Sequence, residues 1–212
     1  MRRTTLIKAA GGLVALGVLG VLFVRSAMSV SAEPYTVARD RLGPWTVALD
    51  AAPGESGVLL GLWPPTTLAP PLFSQLFARS GLSLSGPNPV VMPLVLKGEY
   101  DRALAGTVAP EALVELARSS GLESIQPKLR CVASRRVSRP GSTRDMFFVR
   151  FEHSSFEGFR QQVAQKASAA GGFNPQALSP IVIVAATDAD FSSWLPLQDD
   201  APEDCLAPII LQ

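Results

Sequence analysis

Histidine is all but missing from this sequence: His153 is the only one among 212 residues. Cysteine is nearly as scarce, with Cys131 and Cys205 alone. These shortages exclude much chemistry. A structural zinc site wants four ligands, and two isolated cysteines with one distant histidine do not supply them. A thiol nucleophile needs a base beside it, and only one histidine exists to serve. There is no G-x-x-x-x-G-K-[ST] loop, no G-x-G-x-x-G, no C-x-x-C, no H-E-x-x-H and no EF-hand loop. Gly54-Glu55-Ser56-Gly57 has the wrong spacing for a nucleophile elbow. No metal or cofactor is therefore expected. Charged residues are sparse at 17%, which argues against disorder, and 47% hydrophobic content is ample for a core.

The charge that is present is unevenly placed. The formal net charge is +1, so the total shows no bias toward nucleic acid. Arg2, Arg3, Lys8 and Arg25 lie within residues 1–32, which hold no acid; the remainder has 15 basic against 18 acidic residues, a net −3. Ala9–Val24 is an apolar, uncharged run of 16 residues between those basic flanks. Spanning a bilayer takes about 20 residues, so the run has the length of a signal-peptide core or a short anchor. Val30-Ser31-Ala32 offers small residues for cleavage before Glu33. The start Arg2-Arg3-Thr4-Thr5-Leu6-Ile7-Lys8 resembles a twin-arginine export signal, as do the Gly/Ala-rich run and the basic Arg25 after it. Thr5 stands where such signals usually carry a large apolar residue. The resemblance covers residues 1–32 alone. It implies a periplasmic or otherwise extracytoplasmic protein, secreted or held at the membrane through residues 9–24.

Export gives the cysteines a reason. In an oxidising compartment the default is a Cys131–Cys205 disulfide, closing a loop of 75 residues. The chain-entropy account puts such a bridge at roughly 4–4.5 kcal/mol.

Residues 33–44, with Pro34, Gly43 and Pro44, read as a linker, and 45–212 as one domain. Within it, 45–89 form an N-terminal extension: short strands at Trp45–Leu49 and Val58–Trp63, then a helix opened by Pro70-Pro71 and ended by Gly81. Leu72, Phe73, Leu76 and Phe77 give that helix one apolar face, for the core or for a partner. Residues 90–187 run strand, helix, strand, strand, helix, strand. Val90–Leu96 is the first strand, its Pro93 marking a bulge or an edge. A helix from Pro110, a strand Lys128–Ala133, a loop Val137–Thr143, a strand Met146–Phe151, a helix from 155 and a strand Pro180–Ala186 follow. Ser154 and Glu157 have capping-box spacing. This is the ferredoxin-like split βαβ order, so the fold class is α+β: one antiparallel sheet with both helices on one face, preceded by an N-terminal apolar helix. Phe148, Phe159, Val163, Ile181 and Ile183 are expected to be buried. Residues 188–212 form an acidic tail packed on the core, and after the bridge Leu206–Leu211 can pair along the exposed sheet edge.

Chemistry-bearing residues are few. Arg130, Arg135, Arg136, Arg139, Arg144 and Arg150 fall within 21 residues, opposed only by Asp145. Guanidinium groups bind phosphate and carboxylate bidentately. Aromatics for base stacking are not interleaved, so nucleic acid is not the expected partner. Arg135, Arg136, Arg139 and Arg144 are instead candidates for an anionic lipid, a cell-wall polymer or an envelope protein. They have an internal alternative, because no Lys or Arg follows Lys166 while Asp188, Asp190, Asp199, Asp200, Glu203 and Asp204 crowd the C-terminal part. Asp188 and Asp190, following a strand, are the candidate acids of an enzyme; as an N-cap and a first-turn residue they need no catalytic role. His153, at a strand end, is expected to face water.

Two functions follow: a non-catalytic envelope module that binds a protein or an anionic surface, or a small exported hydrolase using Asp188 or Asp190. On the twin-arginine resemblance, replacing Arg2 and Arg3 with Lys is expected to abolish export. Fractionation of a tagged chain checks it, and unchanged export leaves the general secretory route.

Overall fold

The computed structural model describes residues 33–50, 57–139, 142–167, 172–196 and 205–212. Its strands are β1 (Tyr35–Val37), β2 (Thr46–Leu49), β3 (Val58–Trp63), β4 (Met92–Leu96), β5 (Lys128–Arg139), β6 (Ser142–Glu152), β7 (Ile181–Ala186) and β8 (Cys205–Leu211). The helices are α1 (Ala69–Ser80), α2 (Lys97–Ala103), α3 (Pro110–Ser119) and α4 (Phe156–Lys166). Prolines open α1 and α3, where the first-turn N–H groups have no helical partner anyway. Gly81 ends α1 at φ 64°, a left-handed conformation that suits a residue without Cβ. The helix α2, Lys-Gly-Glu-Tyr-Asp-Arg-Ala, carries no strong apolar period in its sequence. Among the described residues no helix is long and apolar enough to cross a membrane, and the apolar run at 9–24 lies outside them.

The class is α+β, but the strands are not shared out as a ferredoxin-like sheet. One sheet has the order β1-β8-β5-β6-β7 and a second the order β2-β3-β4. The split arrangement needs β4 between β6 and β7. Instead β7 pairs directly with β6, antiparallel, from Met146↔Ala186 to Arg150↔Ile181. Element order alone cannot choose a strand's partner. Here β3, with six largely apolar residues, takes β4, and the register shifts along the β3–β4 ladder. The strand with Pro93 is thus both bulged and at an edge, as its proline requires. Gly61 serves the same irregularity, since a Cβ there would overlap Val91 Cγ2.

Three more readings change. Residues 33–44 are not a plain linker: β1 pairs parallel with β8, and Tyr35 and Val37 are buried. The β5–β6 ladder runs unbroken in sequence from Cys131↔Arg150 to Arg139↔Ser142, so 137–139 and 142–143, read as part of a loop, are strand. The Ser154–Glu157 capping box is not formed: Ser155 is the N-cap of α4, without a side-chain cap bond. Its N–H reaches His153 Nδ1 at 3.4 Å instead.

The five-stranded sheet buries both faces. Val132, Phe147, Val149, Val182 and Val184 face the main core, shared with α1, α4 and the smaller sheet. Cys131, Ala133, Met146, Phe148, Ile181 and Ile183 face a second, smaller cluster closed by Trp194 of a 3-10 turn, Phe191–Trp194. All five residues expected in the core are buried. α1 packs against both β1 and β7, the outermost strands, so the sheet is curled around it. Two strand edges are blunted by side chains. The Gln75 amide accepts from Thr36 N–H at 2.9 Å and donates to Thr36 C=O at 2.8 Å, imitating a further strand beside β1. Glu123 accepts the Val47 N–H of β2 at 2.6 Å.

One buried ion pair ties these parts together. Arg160 of α4 is 0% exposed and Glu99 of α2 is 6%. The guanidinium forks the carboxylate at 2.9 and 2.8 Å. It also donates to Leu94 C=O of β4 at 3.1 Å, Asn174 C=O at 2.6 Å and Pro175 C=O at 3.1 Å. All five of its N–H donors are thereby used. Phe173 lies on its face, 4.5 Å from ring centroid to Cζ. Glu99 in turn accepts the Leu96 N–H at the start of α2. Removing one partner of such a pair leaves a buried charge, at a cost of about 3–5 kcal/mol. Arg160→Met and Glu99→Leu are each expected to lose that much in urea unfolding, and the double variant less than either. Equal additive losses would show that the two charges are not coupled.

Candidate functional site

The arginines of the β5–β6 hairpin came from sequence as the first candidates. Cross-strand register puts Arg136 opposite Asp145. Its Nε and Nη2 fork that carboxylate at 2.6 and 3.2 Å, although the arginine side chain stays 67% exposed. Arg144 forks Asp188 in the same way, with Nη2 to Oδ1 at 2.9 Å. It also donates to Ser193 Oγ at 2.8 Å and lies over the Trp194 ring. Arg150 is buried, with Nη1 3.6 Å from Cys205 Sγ. Arg135 is engaged as well, and Arg130 is exposed. The Arg139 side chain and the tail acids Asp199, Asp200, Glu203 and Asp204 lie outside the described residues. So the structure brings Arg136 and Arg144 to acids of their own hairpin and of the β7 end.

The disulfide itself is present. Cys131 and Cys205 are bonded, with their Cα atoms 5.8 Å apart, inside the range that unstrained bridges use. It holds β8 on β5, where Val132 pairs with Ala207 and Cys131 with Pro208. The C-terminal strand thus covers the edge of β5, as the bridge requires.

The candidate acids Asp188 and Asp190 are both hydrogen-bonded within the chain. The bond from Arg144 is the main cause holding the Asp188 carboxyl below its ordinary value; the backbone N–H of Asp190 adds to it. A carboxylate so held is a poor proton carrier near neutrality. The Trp194 indole N–H is buried beside this pair and also lowers the Asp188 value. Asp190 takes the Ser192 hydroxyl at 3.0 Å. His153 does not face water but is buried. Its Nε2 lies 3.2 Å from Leu122 C=O, so it is the donor there, and Nδ1 accepts from Ser155. The Ser155 contact needs the neutral ring, and burial pushes its pKa down, outweighing the Leu122 bond, which raises it. Both ring nitrogens are thus engaged.

The concave site that sequence reasoning missed lies on the opposite side of the residue inventory, among side chains with no charge. A partly open cleft of about 710 Å³ is walled by Trp63 of β3, Phe73 of α1, Val184 of β7 and Val90, with Ala48 of β2 also lining it. Five of its lining residues are prolines: Pro64, Pro65, Pro70, Pro87 and Pro89. No Asp, Glu, Lys, Arg or His lines it. The apolar face read for α1 is split by the fold. Leu72 and Leu76 enter the core, while Phe73 is half-buried at the cleft and Phe77 is 55% exposed. The Phe73 and Phe77 rings stack 6.4 Å apart, carrying the apolar surface out of the cleft. The signal in the sequence was this doubled pair at i and i+1, i+4 and i+5, which is too wide for one buried stripe.

Comparison with known proteins gives no match to a family model, a curated protein or a solved structure. The class that fold and geometry define is a disulfide-bonded α+β domain with an uncharged apolar cleft.

Asp188→Asn is expected to lower stability at pH 7 by weakening the Arg144 fork. The folded pKa of Asp188 lies below its unfolded value, so its contribution is full above about pH 4 and fades as pH falls through the folded value. The stability gap between wild type and variant should therefore close in strong acid. Urea unfolding at neutral and acid pH checks it, and a gap constant with pH would mean that the ion pair contributes nothing.

Proposed function

We propose that this chain is an exported, non-catalytic binding module of the cell envelope, whose ligand-facing site is the apolar cleft around Trp63 and Phe73. The observation that carries this reading is the lining itself. Among the described residues this apolar cleft is lined by no Asp, Glu, Lys, Arg, His, Cys or Tyr, the side chains that usually move protons or activate nucleophiles. Ser74, the one serine in it, donates its hydroxyl to Pro70 C=O at 3.0 Å. An apolar pocket with few polar groups is what binding without chemistry asks for.

Export rests on the basic-flanked run Ala9–Val24, on the resemblance of residues 2–8 to a twin-arginine signal, and on the disulfide, a bond typical of oxidising compartments. The chain is secreted after Ala32 or stays anchored through residues 9–24. The exposed side of the arginine hairpin, where Arg136 stays open to solvent while paired, faces anionic lipid, cell-wall polymer or an acidic envelope protein. The hydrolase alternative loses support from the Arg144–Asp188 fork and the occupied His153 ring.

A tagged full chain, fractionated and alkylated without reduction, is expected outside the cytoplasm with no reactive thiol. It is also expected to turn over no ester or peptide substrate. Cytoplasmic chain with two alkylated cysteines overturns the export reading. Turnover that disappears in Asp188→Asn or Asp190→Asn restores the hydrolase.

A further inference from the structure

The cleft's walls also restrict what can fill it. Three features act together. No charged side chain lines it, so an ionised group inside would be desolvated without a partner. Its five prolines have no N–H to donate. Two of the polar atoms nearest at hand are already used: Ala48 C=O accepts the Trp63 indole N–H at 3.2 Å, and the Ser74 hydroxyl is bonded to Pro70. A peptide laid in the cleft would find no N–H on the five proline units for its own C=O groups, which penalises it. A hydrocarbon chain has no such groups to satisfy. The volume, about 710 Å³, falls within the range of roughly 300–1,000 Å³ of small-molecule sites. A neighbouring cavity of about 400 Å³, beyond the loop of Gly86–Pro89, differs in having Asp50 in its wall.

We infer that the cleft between β2, β3, α1 and β7 binds the acyl chain of a free, neutral, single-chain lipid, with Trp63 and Phe73 flanking the chain. This rests on the binding-module reading and names its ligand class. An uncharged headgroup such as glycerol can remain at the mouth, where Thr66 and Asn88 are exposed and offer hydroxyl and amide groups. Anionic single-chain lipids are disfavoured, because the lining holds no cation to meet them.

The test uses the full chain in envelope membranes and a diazirine-bearing monoacylglycerol as the probe. Photolabelling is expected on Trp63, Phe73 or residues 86–90, saturable and competed by unlabelled monomyristoylglycerol. Ala48→Leu fills the cleft and Thr66→Trp narrows its rim; each is expected to weaken labelling by roughly tenfold or more, the scale of a methylene-sized misfit in an apolar pocket. An unchanged melting temperature shows that the variants fold. Ile125→Ser, an exposed apolar residue that does not line the cleft, should leave labelling intact. Label scattered over the surface, label undiminished in both cleft variants, or a diazirine-bearing apolar peptide labelling the cleft in place of the lipid would each overturn the inference. Those outcomes leave an exported, inert module standing, whereas cytoplasmic location or Asp188-dependent turnover removes the module itself.

Discussion

A single buried guanidinium sets how the pieces of this protein meet. Arg160 leaves α4 and reaches β4, α2 and the segment of residues 174–175 at once. Such a pair is weak evidence for net stability, because its desolvation cost rivals its Coulombic gain. Its effect here is on uniqueness. A fully dry arginine with five donors tolerates only arrangements that answer all five, and shifting β4 or α2 by one residue would strand at least one of them. The smaller sheet is therefore fixed against the helix that covers the larger one. The segment of residues 86–90 leads directly into β4, so the wall of the cleft inherits that fixed position.

The sheet edges are handled with equal care. β8, held by the disulfide, lies along β5, and β1 lies along β8. Beyond β1 stands the Gln75 amide, and beside β2 the Glu123 carboxylate. Side chains with matched donors and acceptors thus occupy backbone groups that would otherwise template another chain. Arg79 adds to the closure of β1, lying 4.2 Å over the Tyr35 ring. Pairing along the β1 and β2 edges is thereby hindered.

The charged residues tell a complementary story. Proximity in sequence made the hairpin arginines look like a binding patch, yet two of them close forks with Asp145 and Asp188. In a β-hairpin, residues nine apart can face each other across the ladder, as Arg136 and Asp145 do. Net charge cannot show this; register can. Of the two readings the sequence offered for these arginines, pairing within the chain is the one that Arg144 takes with Asp188.

The sequence by itself determined the local elements and the covalent frame. Proline and glycine positions bounded α1 and α3, apolar runs marked β3, β6 and β7, and the two cysteines in an export context named the bridge. These are nearest-neighbour effects or follow from counting. Tertiary structure alone decided which strands share a sheet, because pairing partners are chosen by packing between segments far apart in the chain. It made Arg160, four residues after Phe156, the centre of the fold, since its partners come from residues 94, 99, 174 and 175. It also made the cleft. Trp63, Phe73, Val90 and Val184 belong to four separate segments, each unremarkable alone, and only the curl of the sheet around α1 brings their apolar faces to one wall.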